Sequence, residues 1–254
     1  MINGEQQVNC DILVSIITVA YNSEKTIRRT IESVLNQTYK NVEYIIIDGK
    51  STDNTINIVK EYEDRFAGRM RWISEPDKGI YDAMNKGIKL SSGELVGILN
   101  SDDYYELDAV ENMVNALGSE KYQILYGFMR TLRNGEEYSI AIRTHKDLRN
   151  GMISHPTCFV TKKLYDDFGM YDTRYKSVAD YDFMLRMFDN KDVVFRPVYK
   201  LITNFEQGGM SSTTAAWLEL VELQKNYGII TKGEYNKIMI KDRLYSLIHR
   251  KNNF

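Results

Sequence analysis

The sequence predicts an α/β fold in which helices cover both faces of a mostly parallel, doubly wound sheet. Three observations predict it. ILVSIITVA at 12–20 is a nearly continuous apolar, β-branched run, as expected of a strand buried on both faces. A unit of strand, polar loop and helix then recurs, and ELVGILN at 94–100 supplies a further apolar strand. Parallel strands need crossover connections, which alternating strands and helices provide.

Taken in order, the first strand passes through polar YNSEKT into a helix carrying Ile27, Ile31, Val34 and Leu35, with Asn22 or Ser23 as its expected cap. VEYIII at 42–47 is the second strand. The loop DGKSTDNT follows, then a helix with Ile56, Val59, Tyr62 and Phe66 on one face and Thr52 or Asp53 as cap. MRWIS and ELVGILN bracket a helix over about 80–90. Beyond residue 120 the pattern becomes mixed: QILYGFMRTLR and EYSIAIR flank Asn134-Gly135, a strong hairpin signal. TCFV at 157–160 reads as a strand, LYDDFG as a short helix ending on Gly169, and ADYDFMLRMFD as a helix. Two helical stretches, about 213–227 and 232–249, complete the chain.

With 33 basic and 35 acidic side chains, the formal charge of -2 gives no global field for a polyanion, so no nucleic-acid partner is expected. Cys10 and Cys158 form no CxxC pair, and His145, His155 and His249 have no zinc spacing, so any metal should sit on carboxylates. MINGEQQVNCD lacks the basic-then-apolar order of a signal peptide, and no apolar run approaches the roughly 20 residues of a membrane span. A cytoplasmic chain is expected.

Asp48 directly follows the second strand, and Asp102 with Asp103 the fourth, so the three carboxylates should emerge at one edge of the sheet, where ligands of such sheets gather. A hard divalent cation, manganese or magnesium, bridging phosphate oxygens would relieve their repulsion. The plainer reading makes Asp48 and Asp53 turn residues and Asp102 and Asp103 caps of the next helix.

SIITVAYNSEKTIRRTIESVLNQTYKNVEYIIIDGKSTDNT, then EPDKGIYDAMNKGI and GELVGILNSDD, resemble in order and spacing the family 2 inverting glycosyltransferases, of glycosyltransferase A fold. The resemblance covers about the first 115 residues and resumes with HPTCFVTKKLYDDFGMYDTRY and ADYDFMLRM. It implies transfer of a sugar from a nucleoside-diphosphate sugar, UDP foremost, to a carbohydrate or lipid-linked glycan acceptor in surface polysaccharide synthesis. It also implies roles for residues. Ala20, Tyr21 and Asp48 would hold the base and ribose, and Asn100, Ser101 and Asp102 occupy the aspartate-x-aspartate motif. Asn100 departs from that pattern, leaving the metal to Asp102 with Asp103. Asp82, Asn85 and Lys86, with Lys78, lie in the stretch closing over the nucleotide. Asp180, preceded by Ala179 where the family usually has Glu, would be the catalytic base, with Asp182 second. His155 matches a position near the donor phosphates or acceptor, though a structural histidine is an equal reading. FEQGGMSS at 205–212 would offer backbone amides to phosphate or serve as an ordinary turn.

Residues 1–210 are then expected to form a single catalytic domain, with a nucleotide-binding half over about 10–118 and an acceptor half over about 119–210, followed by a helical extension over 211–254. That extension carries Lys232, Lys237, Lys241, Arg243, Arg250 and Lys251 among Ile238, Ile240, Leu244, Tyr245 and Ile248. Its apolar stripe suits the domain itself or a second subunit in a homodimer; its basic face suits peripheral contact with an anionic membrane. Competing readings are a nucleotidyltransferase, a receiver-like signalling module, and an inactive nucleotide-binding protein on the same fold. The first would carry a basic, glycine-rich loop where this chain has AYNSEKT, and the second fills only about half the length.

Overall fold

The computed structural model describes residues 12–208 and 213–250, with side chains described through Arg243. The N-terminal segment with Cys10, the Gly209–Ser212 part of the glycine-serine loop, and the side chains of Leu244, Tyr245, Ile248, His249, Arg250 and Lys251 lie outside the described residues.

Four parallel strands carry the first half: β1 (Val14–Ala20), β2 (Val42–Asp48), β3 (Met70–Ser74) and β4 (Leu95–Asn100). Every residue of β1 is buried, Ser15 and Thr18 included, as its nearly continuous apolar run predicts. Successive side chains leave opposite faces of a strand, and here each face has its own core. Val14, Ile16, Tyr44 and Ile46 pack with α1 (Ile27–Leu35), α2 (Thr55–Tyr62) and α4 (Ala109–Ala116). Ile17, Val19, Ile45 and Ile47 pack with α3 (Ile80–Leu90) and α6 (Ala179–Phe188).

The full sheet has nine strands in the order β3-β2-β1-β4-β8-β6-β9-β5, with β7 paired on β6. The added strands are β5 (Tyr104–Tyr105), β6 (Gln123–Arg133), β7 (Glu136–Ala141), β8 (Phe159–Thr161) and β9 (Val194–Glu206). β8 runs antiparallel to β4 and β6, while β6 and β9 run parallel. The β6–β7 hairpin turns through Asn134 and Gly135, both at positive φ (55° and 79°), the conformation the Asn-Gly pair signalled. α5 (Lys162–Phe168) ends at Gly169 as expected, and α7 (Thr214–Asn226) and α8 (Lys232–Arg250) close the chain. α8 rests on α7 and leaves Ile240 exposed; among the described residues no helix is long and apolar enough to cross a membrane.

The structure departs from the local sequence reading in three ways. α1 starts after Thr26, and neither Asn22 nor Ser23 caps it with a side chain; instead Asn22, at φ 49°, accepts from the Thr52 amide across the loops. α2 stops at Tyr62, so Phe66 is buried from a 3₁₀ turn, Asp64–Phe66. β9 and β5 were not anticipated: VFRPVYKLITNFE contains a proline and two lysine or arginine residues, and its pairing with β6 and β5 overrides weak local propensity.

Gly87 lets α3 approach β1, since a Cβ there would lie 2.4 Å from Ile17 Cγ2. Alanine ordinarily outranks glycine within a helix by about 1 kcal/mol. Gly87→Ala should nevertheless lower stability in urea unfolding, because overpacking costs about 1–3 kcal/mol; a more stable variant would refute this contact.

Candidate active site

Strand register builds the site. Ala20 pairs with Asp48, Asp48 with Ser74, and Val19 with Asn100, so the loops after β1 to β4 leave one edge side by side. Asp48 is completely buried at that edge. Its carboxylate accepts from the Ser51 hydroxyl, from the Ser51 amide at 3.0 Å, and from Ser74 Oγ at 2.6 Å. Gly49 donates its amide to Ala20 O at 2.8 Å. A Cβ on Gly49 would stand 2.5 Å from Asp77 Oδ2 and 3.4 Å from the Tyr21 ring, so three loops converge at this glycine and a larger residue would require the Asp77 side chain to shift. Tyr21 is 65% exposed, which places its ring over this loop cluster and outside the core.

The loop after β4 separates its acidic residues by environment. Asp102 is half-buried, and desolvation raises its pKa above the ordinary carboxylate value. Asp103 is fully buried, accepting from the Glu206 amide and Asn100 Nδ2, each at 3.3 Å. Desolvation, then the neighbouring Asp102 charge, push its pKa well above the usual range. The loop is pinned from α1: Thr30 Oγ1 donates to Asp103 O at 2.7 Å and Arg29 to Asp102 O at 2.9 Å. Ser101 Oγ lies 2.7 Å from Ser23 Oγ, tying this loop to the one after β1.

No group of three or more His, Cys, Asp or Glu among the described residues is arranged to hold a metal. The residues nonetheless fit a hard cation that takes its remaining ligands from a diphosphate. Asp102 offers a carboxylate, and Asn100 Oδ1 is a buried oxygen with no hydrogen-bond partner. Asp103, committed to Asn100 and Glu206, supports this loop from beneath.

α3 spreads the next set over its surface. Asp82 accepts from the Lys78 amide at 3.0 Å at the helix start. Lys86 reaches back to Glu75 at 2.9 Å and Pro76 O at 2.9 Å, fixing the loop after β3. Asn85 is buried and grips the Tyr171 backbone in both directions, donating at 2.8 Å and accepting at 3.1 Å. It therefore joins the two halves of the chain. His155 is buried too: its Nε2 lies 2.9 Å from the Tyr171 hydroxyl, and desolvation lowers its pKa, favouring neutral imidazole.

Asp180 opens α6. Its Oδ1 accepts from Tyr81 Oη at 2.8 Å and from the Tyr181 amide at 2.9 Å, and it retains partial exposure. Burial and the Asp180 charge drive the Tyr81 pKa upward, so the phenol stays a donor. Asp182 is buried and bound by Arg186 at 2.9 Å and Tyr227 Oη at 2.8 Å. Sequence reasoning missed Ser74, Tyr81, Tyr171 and Arg29. Ser74 was discoverable as the last residue of the strand paired with β2; Tyr81 and Tyr171 meet their partners only through tertiary packing.

The family model for glycosyl transferase family 2 matches residues 15–194. A PGL/p-HBAD biosynthesis glycosyltransferase of Mycobacterium tuberculosis is 29% identical over 204 residues, covering 79% of this chain and 80% of the relative. Escherichia coli chondroitin synthase is 30% identical over 241 residues, 92% of this chain but 34% of that protein. Among solved structures, S. aureus TarS 1-349 in complex with UDP-GlcNAc matches with TM-score 0.69 and 21% identity over 89% of this chain and 70% of that one. The mannosyltransferase PcManGT from Pyrobaculum calidifontis, in complex with GDP-Man and Mn2+, matches with TM-score 0.59 and 16% identity over 87% and 65%.

Asp103 generates a pH prediction. Its folded-state pKa is raised above the unfolded value of about 3.9, so its contribution is fully present below that value and lost as pH rises through the folded pKa. Melted in chelator, wild type should lose stability relative to Asp103→Asn as pH climbs from about 4 toward neutrality. Parallel melting-temperature curves would disprove it.

Proposed function

The chain belongs to glycosyl transferase family 2, and from that premise we propose an inverting transfer of a sugar from a nucleoside diphosphate, UDP foremost, to a hydroxyl of a glycan acceptor. The enzyme is a glycosyltransferase of the glycosyltransferase A fold. One observation carries the finer reading: the strand register brings Tyr21, Asp48 and the Asn100–Asp102 loop to one edge, while α3 connects that edge to Asp180 through Tyr81.

In this reading Asp48, held by Ser51 and Ser74, accepts from a donor group of the base or ribose, and Tyr21 and Ala20 line the nucleoside. TarS in complex with UDP-GlcNAc supports UDP, and the Mn2+ bound by PcManGT supports a divalent ion. Asp102 and Asn100 would hold manganese or magnesium, which when bound would stabilise charge on the leaving diphosphate. Lys86 and Asp82 shape the loop over the nucleotide. Asp180 takes the proton of the acceptor hydroxyl as its oxygen attacks the anomeric carbon and the bond to the diphosphate breaks. One displacement inverts that carbon and needs no nucleophile on the protein. Asp182, bound by Arg186 and Tyr227, holds α6 in place.

The names of the mycobacterial and chondroitin relatives favour a glycan or lipid-linked acceptor. Synthesis on a cytoplasmic membrane face, with α8 at the surface or in a homodimer, is compatible with that acceptor.

Calorimetric titration of UDP with and without manganese tests the donor site. Asp102→Ala should weaken metal-dependent binding by tenfold or more, about 1.4 kcal/mol; no binding of any nucleoside diphosphate by wild type would sink the reading. Asp180→Asn should lower kcat by about 10²–10⁴ and leave UDP affinity unchanged, whereas wild-type turnover would remove Asp180 as the base.

A further inference from the structure

The geometry points to Glu219, on α7, as a positioning residue for the acceptor-side carboxylate: it holds the turn from which α6 presents Asp180. This rests on the reading of Asp180 as the base. Glu219 lies beyond residue 194, where the family match ends.

The Glu219 carboxylate accepts two consecutive backbone amides, Lys176 N at 2.8 Å and Ser177 N at 2.6 Å. Val178, the next residue, is the N-cap of α6, and its carbonyl accepts from the Asp182 amide at 2.9 Å. A carboxylate on two amides makes charge-assisted bonds, and a negative group suits the positive end of a helix. The same turn is held from the donor side, where Lys176 Nζ donates to Lys78 O at 3.1 Å, in the loop entering α3. Tyr227, the C-cap of α7, holds α6 as well, its Oη donating to Asp182 at 2.8 Å.

Asp180 therefore begins a helix whose entry turn is fixed by a segment far along the chain. Freed from Glu219, the Lys176 and Ser177 amides would turn to water and the first turn of α6 would fray, displacing Asp180 from Tyr81 without touching Asp48 or Asp102. Glu219 would act through position alone, since its contacts run to backbone amides and leave the proton transfer to Asp180.

The test compares Glu219→Ala, Glu219→Gln, Asp180→Asn and the exposed-site control Glu222→Ala, all in the full chain. Two readouts are taken: release of UDP from UDP-N-acetylglucosamine with water as acceptor, and amide hydrogen exchange. Glu219→Ala should lower kcat at least tenfold with donor KM and UDP affinity within twofold of wild type, and should speed exchange at 175–181. Glu219→Gln, keeping one acceptor oxygen, should recover part of both effects. In an Asp180→Asn background Glu219→Ala should cost nothing further. Wild-type kcat in Glu219→Ala, or parallel losses of kcat and UDP affinity, would overturn the inference. An inactive Asp180→Asn beside a fully active Glu219→Ala removes the positioning role alone; a fully active Asp180→Asn removes the base and the inference together. If Glu219→Ala does not fold, Glu219→Gln and its exchange at 175–181 decide.

Discussion

The parallel register of β3, β2, β1 and β4 is the constraint on which the rest depends. Because side chains alternate along a strand, a slip of one residue would exchange the two cores and remove Asp48 from Ser74. The register is held by apolar burial on both faces and by satisfied polar groups within it: Tyr44 Oη donates to Thr18 Oγ1 at 3.0 Å, and Ser15 Oγ to Glu43 at 2.5 Å. With those strands fixed, four loops must leave at one edge. Their crowding goes with close approach of three loops at Gly49 and short side-chain bonds between loops.

At that edge the same residue type does different work according to its surroundings. Asp48 is buried and accepts three bonds from donors that also shape the loop, which leaves its carboxylate about one further acceptor position. Asp103 is buried with two weaker partners and is driven toward its neutral form. Asn100 now has a physical rationale. A second aspartate there would place another anion against a buried carboxylate, whereas an amide donates to Asp103 and keeps one oxygen free of any partner.

Much of the fold was legible because its core strands are long, apolar runs and its helices amphipathic, and Asn134-Gly135 specified its hairpin outright. Family membership was legible in motifs that keep their order and spacing along the chain, and the family model matches residues 15–194. β9 was illegible since Pro197, Lys200 and Arg196 mask a strand defined by its neighbours. The expected caps fared unequally for a related reason: Asn22 accepts from Thr52 across the loops instead of capping α1, whereas Asp53 accepts from the Thr55 amide at the start of α2 as well as from the Glu24 amide of the loop after β1. For the site, sequence could name acidic residues at strand ends but not their burial. Nothing in NSDD distinguishes a half-buried Asp102 from a sealed Asp103; the difference comes from β9 and α1 closing over the loop.

α3 turns these local arrangements into one device. Three and four residues apart on a helix, side chains share a face, and adjacent ones diverge. Tyr81 reaches Asp180, Asp82 and Lys86 hold the loops at 75–78, Asn85 grips Tyr171, and Gly87 lies against β1. Five residues within a seven-residue stretch thus contact the loops at the proposed donor edge, Asp180, the Tyr171 backbone and the central strand. Neutral His155, bonded to the Tyr171 hydroxyl beneath this helix, extends the same scaffold into the second half. In the proposed transfer, donor and acceptor groups would both be referenced to this one helix, which suits a direct displacement: the attacking oxygen and the leaving diphosphate would have to be held on opposite sides of one carbon, and small errors in their alignment are costly.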